Sequence, residues 1–186
     1  MHLRHKSLTA IGAILVLVNA PVHSQGLSSA YRSVSHTASG NPPIIEVPDG
    51  DAEMNAAINK ARATVSTFIK ELKHPRPGDT LFSIKVKVSD PGKKYAEHIW
   101  LTHLTFDGTQ FHGIVSHGDG PETIKSVKEG QKLSAKPNQI SDWAYSANGR
   151  LVGGYSLGVL YRRASKGEQE EIRNGLGLTD HELRSR

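Results

Sequence analysis

The sequence contains no cysteine among its 186 residues. This absence excludes disulfide bonds, thiolate metal sites, cysteine nucleophiles and lipid attachment through a lipobox cysteine. A domain formed by this chain must therefore be held together by packing and hydrogen bonds. The sequence also lacks the HExxH and Ser-x-x-Lys motifs of hydrolases, and it has no internal repeat.

Long apolar segments are also scarce. The uncharged run LTAIGAILVLV follows the basic segment MHLRHK and is shorter than the roughly 20 residues that span a bilayer. Val22 and Ser24 provide a small-residue boundary, so residues 1–24 are predicted to be a signal peptide cleaved before Gln25. An uncleaved N-terminal anchor is the alternative. We expect an exported protein, periplasmic or secreted, without stable membrane insertion after cleavage.

A strong excess of one charge is missing as well. The formal net charge is +5, and loss of Arg4 and Lys6 with the leader lowers it to +3. Basic and acidic residues are interspersed through most of the chain, whereas nucleic-acid binders usually carry a clustered basic face. No nucleic-acid partner is therefore predicted.

The composition divides the remaining chain into three parts. Residues 25–50 are rich in Ser, Gly, Asn and Pro and are expected to form a flexible N-terminal arm. Residues 51–178 are expected to form a single domain, because their length suits one hydrophobic core. Residues 179–186 are expected to be a polar tail.

Apolar residues recur at intervals of three and four after the arm. They are Met54, Ala57, Ile58, Ala61, Val65, Phe68, Ile69 and Leu72. This period predicts an amphipathic helix from about Ala52 to Lys73, capped by Asp49 or Asp51 and ended by the following prolines.

Alternating patterns replace the helical period from residue 80. The segments TLFSIKVKVSD, YAEHIWLTHLTF, FHGIVS, KLSAKP and QISDWAYS are predicted to be strands, the first of them half-buried, with a hairpin at DGTQ. The Gly-rich segment that follows the third strand is predicted to contain a helical turn at 122–127.

The remaining segments complete a prediction of the fold class. ANGR is predicted to turn the chain into LVGGYSLGVLYRR, a returning strand bent at its glycines, and Lys166 to Leu176 to form a polar helix capped by Gly175 or Gly177. The class is α+β: one long N-terminal helix packed on a curved antiparallel sheet, with a short C-terminal helix.

Four sequence blocks occur together in one order: EHIWL, FDGTQFHGIV, IKSVKEGQKLSA and ISDWAYSANGRLVGGYSLGVL. Over roughly residues 75–163 they resemble the bacterial YegJ-like family, a domain of unknown function of about this size. The family pattern usually has Asn-x-Pro where this chain has SHGDGP. The resemblance implies the fold and the identity of the module, and it implies no catalytic residues.

Histidines are the first candidates for a site. Strand alternation predicts that His98 shares a face with Trp100, and we expect His98 to meet His112 across the hairpin, with His117 arriving from the next loop. Such a cluster would bind zinc or copper. The recurrent ligand spacings are absent, so no metal or other cofactor is predicted, and these three residues are weak candidates.

Asp142 and Trp143 are the second candidates. Neighbours on a strand point to opposite faces, so we expect Trp143 in the core and Asp142 either outward or bonded to backbone N–H groups near the Asn148 turn. A catalytic carboxylate would need a partner, and Glu97 is the plausible one. Ser141 and Ser156 have no identifiable base, and the structural interpretation of Asp142 and Trp143 is favoured.

These observations predict a binding protein rather than an enzyme. The leading interpretation is a non-catalytic module that binds an envelope protein, of the immunity or inhibitor type. The alternatives are a periplasmic metal or small-ligand binder that uses the histidines, and an envelope-acting hydrolase. The predicted contact residues are His98, Trp100, Asp142, Trp143 and Tyr155.

Overall fold

A computed structural model describes residues 51–93, 96–116 and 124–186. The predicted signal peptide, the predicted arm and His117 lie outside these residues. Among the helices that are described, none has the length and apolarity needed to cross a membrane.

Helix α1 spans Ala52–Lys73, as the apolar period predicts. Asp51 is its N-cap and accepts a hydrogen bond from the Met54 N–H at 2.9 Å. Helix α1 ends before Pro75, and the N–H of its C-cap residue His74 donates to the Lys70 carbonyl. The cap and the prolines therefore fix both ends of the helix.

Six antiparallel strands form one sheet in the order β4-β3-β2-β1-β5-β6. Their bounds are β1 Asp79–Val88, β2 Glu97–Phe106, β3 Phe111–Val115, β4 Lys132–Ala135, β5 Ile140–Ala147 and β6 Arg150–Gly153. A 3₁₀ turn at Pro137–Gln139 connects β4 to β5. The structure confirms the predicted α+β class.

The sheet has two faces with different coverings. The first face carries Ile84, Leu101 and Trp143 and packs against α1. The second face carries Lys85, Trp100 and Asp142, which lie opposite one another in the strand register. Strand β1 was predicted to be half-buried, but residues 83–86 are buried on both faces because the second face is partly covered too.

The segment after β6 is a helix and not the predicted returning strand. Gly153 and Gly154 both have positive φ, 80° and 70°, and they end the strand. Helix α2 then spans Tyr155–Arg163. It packs against α1, and its Leu157 and Leu160 share a hydrophobic cluster with second-face residues of β2, β5 and β6.

Two further helices complete the described chain. Helix α3 spans Lys166–Leu176 and is capped by Gly177, in agreement with its prediction, and α4 spans Asp180–Arg184. The polar tail predicted for 179–186 is wrong, because Leu183 is fully buried in the cluster around α2. The helical turn predicted at 122–127 is wrong over 124–127, which are not helical, and its first two residues lie outside the described chain.

Candidate functional site

Asp142 is fully buried on the second face, where it binds the first turn of α2. One carboxylate oxygen accepts hydrogen bonds from the N–H groups of Trp143 (2.8 Å) and Tyr155 (3.2 Å). The other accepts from the N–H (2.7 Å) and the hydroxyl (2.6 Å) of Ser156. The carboxylate therefore caps a helix that has no side-chain cap of its own.

Burial and hydrogen bonding act on the pKa of Asp142 in opposite directions. Complete burial raises this pKa, while the Ser156 hydrogen bonds and the charge of Lys85 counteract the increase. Lys85 lies opposite Asp142 in the register, is also buried, and places its ammonium group 5.5 Å from the centroid of the Trp100 ring. The centre of the second face thus contains an acidic and a basic side chain under a cover of protein.

Trp143 and Tyr155 are held against α1. The Trp143 indole N–H donates to the Ala61 carbonyl at 2.9 Å, and its ring meets Tyr155 edge-on with centroids 5.6 Å apart. Ring contacts with Phe68 and Tyr145 continue this packing. Trp143 therefore has the buried position and the satisfied N–H of a core residue.

The predicted contact residues do not form an exposed surface. Trp100, Asp142 and Trp143 are each at most 2% exposed, and Tyr155 is partly buried. Glu97 cannot pair with Asp142, because strand alternation directs it to the first face, and its carboxylate accepts from the Ile124 N–H at 3.2 Å. Asp142 therefore has the contacts of a structural carboxylate.

His98 lies beside a serine that was predicted to lack a base. Its Nδ1 is 2.8 Å from the hydroxyl oxygen of Ser141, which sits at an irregularity in the β1–β5 pairing. Since the Ser141 hydroxyl donates to the Lys85 carbonyl at 3.2 Å, the His98 N–H is the donor of the pair. The bulge turns Ser141 toward His98, and regular alternation gave no signal for this contact.

The predicted meeting of His98 and His112 is wrong. His98 is opposite Lys87, whereas His112 is opposite Thr105, seven residues further along β2. A strand rises about 3.3 Å per residue, so the two imidazoles are separated by about 20 Å. Within residues 51–93, 96–116 and 124–186, no three His, Asp or Glu side chains are grouped to hold a metal ion.

His112 instead links a turn to a neighbouring strand. Its Nε2 is 2.8 Å from an Asp107 carboxylate oxygen, and its Nδ1 is 2.8 Å from the Ser134 hydroxyl. The other Asp107 oxygen accepts from the N–H groups of Gln110 and Thr109. These two bonds, together with the bond from His112, hold the pKa of Asp107 well below its usual range. An ionised carboxylate accepts only, so His112 carries a proton on Nε2, and in the neutral imidazole Nδ1 then accepts from the Ser134 hydroxyl.

Within the part of the chain that the structure describes, no helix covers one half of the second face. We call it the open patch, and it consists of Thr105, His112, Ile114, Lys132 and Ser134 on β2, β3 and β4. Thr105, Lys132 and Ser134 are exposed, and the other two are half-buried. The C-terminal helices cover β5 and β6 and reach Trp100 of β2, whereas Thr105, Lys132 and Ser134 remain in contact with solvent.

The sequence could have indicated part of this patch. Asp107 belongs to the recognised Asp-Gly hairpin, which brings the strand with Thr105 against the strand with His112. Ser134 was missed because the pairing of β3 with β4 depends on a long connection, whose length and composition do not fix the register.

Two relatives are similar to most of the described chain. An uncharacterized protein, YegJ, of Escherichia coli K12 is 34% identical over 120 residues, which are 64% of this chain and 74% of that protein. A putative ankyrin repeat protein of Neisseria meningitidis serogroup B is 27% identical over 138 residues, or 71% of this chain. The match spans 54% of the neisserial protein, about half its length. No solved structure matches this chain.

A family model matches residues 51–179, the segment that contains α1 and the entire sheet. The family is described as an uncharacterized protein conserved in bacteria (DUF2314). This match and the likeness to the E. coli protein confirm the resemblance read from the four sequence blocks. The chain belongs to this YegJ-like bacterial family.

Proposed function

We propose that this protein is an exported module that binds a protein partner in the cell envelope through the open patch. The observation that carries the proposal is the exposure of Thr105, Lys132 and Ser134 on the second face, whereas the described helices cover the first face and the β5–β6 half of the second. Ile114 supplies apolar area beside Lys132, and Thr105, His112 and Ser134 form a polar row next to them. Protein interfaces commonly combine apolar and polar contacts of this kind.

Site-specific photo-crosslinking tests the contact. A photoreactive phenylalanine analogue at Thr105 is expected to crosslink a discrete protein in periplasmic extract, because this exposed position lies within the patch. The same analogue at Lys166, an exposed residue of α3, serves as the control. Identical crosslinked products from both positions, or none from either, would contradict the proposal.

The export part of the proposal is supported by the sequence pattern of residues 1–24. Expression of the whole chain in a Gram-negative host is expected to release a periplasmic product that begins at Gln25. Mass spectrometry of the intact protein and of its N-terminal peptide measures this. A full-length product that stays in the cytoplasm would contradict export.

A second candidate function is ester hydrolysis, and the linked Asp107, His112 and Ser134 favour it. Ser134 would attack the carbonyl carbon and pass its proton to His112 Nδ1, with the ionised Asp107 stabilising the imidazolium. His112 would then protonate the departing alkoxide, and water would release the acyl group from Ser134. The carboxylate, imidazole and hydroxyl are in the order this reaction requires.

Covalent labelling separates hydrolysis from binding. A fluorophosphonate probe is expected to modify Ser134, and Ser134→Ala is expected to abolish the labelling. Ser126 is an exposed serine on the same chain and is the internal control in peptide mass spectrometry. Equal modification of Ser126 and Ser134, or none of either, would rule out a nucleophilic Ser134.

A further inference from the structure

The two edge strands of the sheet, β6 and β4, differ in whether their outward backbone groups are hydrogen-bonded. At β6, the Arg186 guanidinium donates hydrogen bonds to the carbonyls of Leu151 (2.6 Å) and Gly153 (3.5 Å). These carbonyls point away from β5, because only every second residue of an antiparallel edge strand directs its backbone N–H and C=O groups toward its neighbour. Arg186 therefore occupies the backbone acceptors through which another strand would pair with β6.

Strand β4 forms the opposite edge and keeps its outward groups open. The Val115 N–H donates to the Gln131 carbonyl at 2.9 Å, and this bond sets the alternation along the β3–β4 ladder. Leu133 and Ala135 then face β3, while the N–H and C=O groups of Lys132 and Ser134 point away from the sheet. Within the described chain, no strand lies beyond β4.

The charge at this edge selects among strands that could pair with it. The exposed residues Lys128, Lys132 and Lys136 precede, lie on and follow β4. A second copy of the chain pairing through β4 would bring the same lysines together, and this repulsion opposes self-association. A segment with carboxylates beside Lys132 would be attracted.

The two sides of β4 define the alternation of such a segment. On the second face, Lys132 and Ser134 adjoin the polar part of the open patch. On the first face, the half-buried Leu133 belongs to the hydrophobic cluster that includes Phe106 and Phe111. An added strand would place acidic side chains on the second face and apolar ones on the first.

We propose that β4 binds an extended segment of the partner, with alternating acidic and apolar residues, by adding it to the sheet as a seventh strand. This inference rests on the proposed binding function and names the partner's chemistry. Backbone hydrogen bonds to Lys132 and Ser134 hold the added strand, and the lysines set its charge preference.

A defined peptide tests the backbone contact directly. The probe is an end-capped octapeptide of alternating glutamate and valine, and the control replaces each glutamate by lysine. Amide exchange of the ¹⁵N-labelled protein is measured by NMR. Saturation with the acidic probe is expected to slow exchange at Lys132 and Ser134 by about tenfold or more, since their free N–H groups become paired. The amides of Leu133 and Ala135, already bonded to β3, are internal references.

Matched substitutions identify the groups responsible. Ser134→Pro and Ser134→Ala both lack the hydroxyl, but only Ser134→Pro loses the outward N–H, so it is expected to bind the probe about tenfold more weakly than Ser134→Ala. Lys132→Glu is expected to reverse the preference from the acidic to the basic peptide. Lys166→Glu is the charge control, and circular dichroism with a melting curve verifies that each variant is folded.

The outcomes separate this inference from the broader function. No protection at Lys132 and Ser134 at millimolar acidic probe, or equal binding by Ser134→Pro and Ser134→Ala, would overturn strand addition. If the Thr105 crosslink persists unchanged in Ser134→Pro, the open patch binds a partner without β4, and only the strand proposal fails. Concentration-dependent dimers with protected β4 amides would identify a second copy as the occupant and would also overturn it.

Discussion

Asp142 links the sheet to α2 through three hydrogen bonds, so its removal should weaken folding. Asp142→Asn retains the shape of the side chain but presents an NH₂ group where the carboxylate accepts from Ser156. Two donors would then face each other beside the buried Lys85, and we expect a loss of about 2–4 kcal/mol in the free energy of unfolding. Urea denaturation measures this loss, and an unchanged midpoint would contradict a structural Asp142.

Gly153 is expected to be the least replaceable glycine of the β5–β6 hairpin. Its φ is 80°, and an added Cβ would lie 2.1 Å from the Trp143 carbonyl oxygen. Gly149 has the same φ with no atom within 4 Å of its Cβ position. Gly149→Ala should cost only the backbone strain, about 1–2 kcal/mol, whereas Gly153→Ala should cost more than about 3 kcal/mol or prevent folding.

Thermal unfolding of these two glycine variants compares their costs in one experiment. Equal melting temperatures would show that the close approach of Gly153 to Trp143 is unimportant. A lower melting temperature for Gly153→Ala alone is the expected result, because the carbonyl belongs to a central strand and cannot move away easily.

The sequence predicted the orientation of Asp142 and Trp143 but not the burial of Asp142. Alternation alone places the two side chains on opposite faces. Burial of Asp142 depends on α2, and the start of that helix has no local signal because its N-cap is Gly154 with no capping side chain. The cap comes from Asp142, more than ten residues earlier in the chain, and such a distant partner cannot be read from local spacing.

At the scale of elements, charged residues hold the beginning of α1 against the end of α2. The Arg163 guanidinium binds both Asp51 and Glu53, and the adjacent Arg162 also binds Glu53 at 2.9 Å. The hydrogen bonds from Arg163 lower the pKa of Asp51 from 3.8 to about 2. Asp51 is also the N-cap of α1, so ionisation of its carboxylate supports both the helix and the contact between helices.

This arrangement predicts a defined dependence of stability on acid. Because the folded pKa of Asp51 is lowered, its contribution is complete above the unfolded value near 4 and is lost as pH falls toward 2. Arg163→Gln is expected to lower the urea midpoint at pH 7, and its difference from the natural protein should shrink between pH 4 and pH 2. Lys166→Gln is the control, and a difference that does not change with pH would contradict the assignment.

Elements with a local signal were predicted better than those set by tertiary contacts. The period of α1 and its Asp51 cap fixed the helix bounds, and the Asp-Gly and Asn-Gly turns located two hairpins. The segment LVGGYSLGVL contains Val, Leu and Tyr, which are also common in strands, so its helix was missed. In the structure, packing of α2 against α1 and the second face overrides that preference.

At the scale of the molecule, the contact residues predicted from the sequence are packed inside the protein. The open patch, on the other half of the sheet, is exposed instead. The aromatic and acidic residues around Trp143 stabilise the junction of sheet and helices. The open patch and β4 lie on the opposite half of the sheet, outside the cover of the C-terminal helices. The sequence could not indicate this division, because it depends on where α2 to α4 pack.

The central claim is that the open patch binds a partner while the Asp142 region maintains the fold. Melting temperature and partner capture, measured together for Ile114→Glu and Asp142→Asn, test it most directly. We predict that Ile114→Glu keeps the natural melting temperature and loses the partner crosslinked from Thr105. Asp142→Asn is predicted to melt earlier and, while folded, to keep that partner. Loss of the partner in folded Asp142→Asn, with capture intact in Ile114→Glu, would contradict the account.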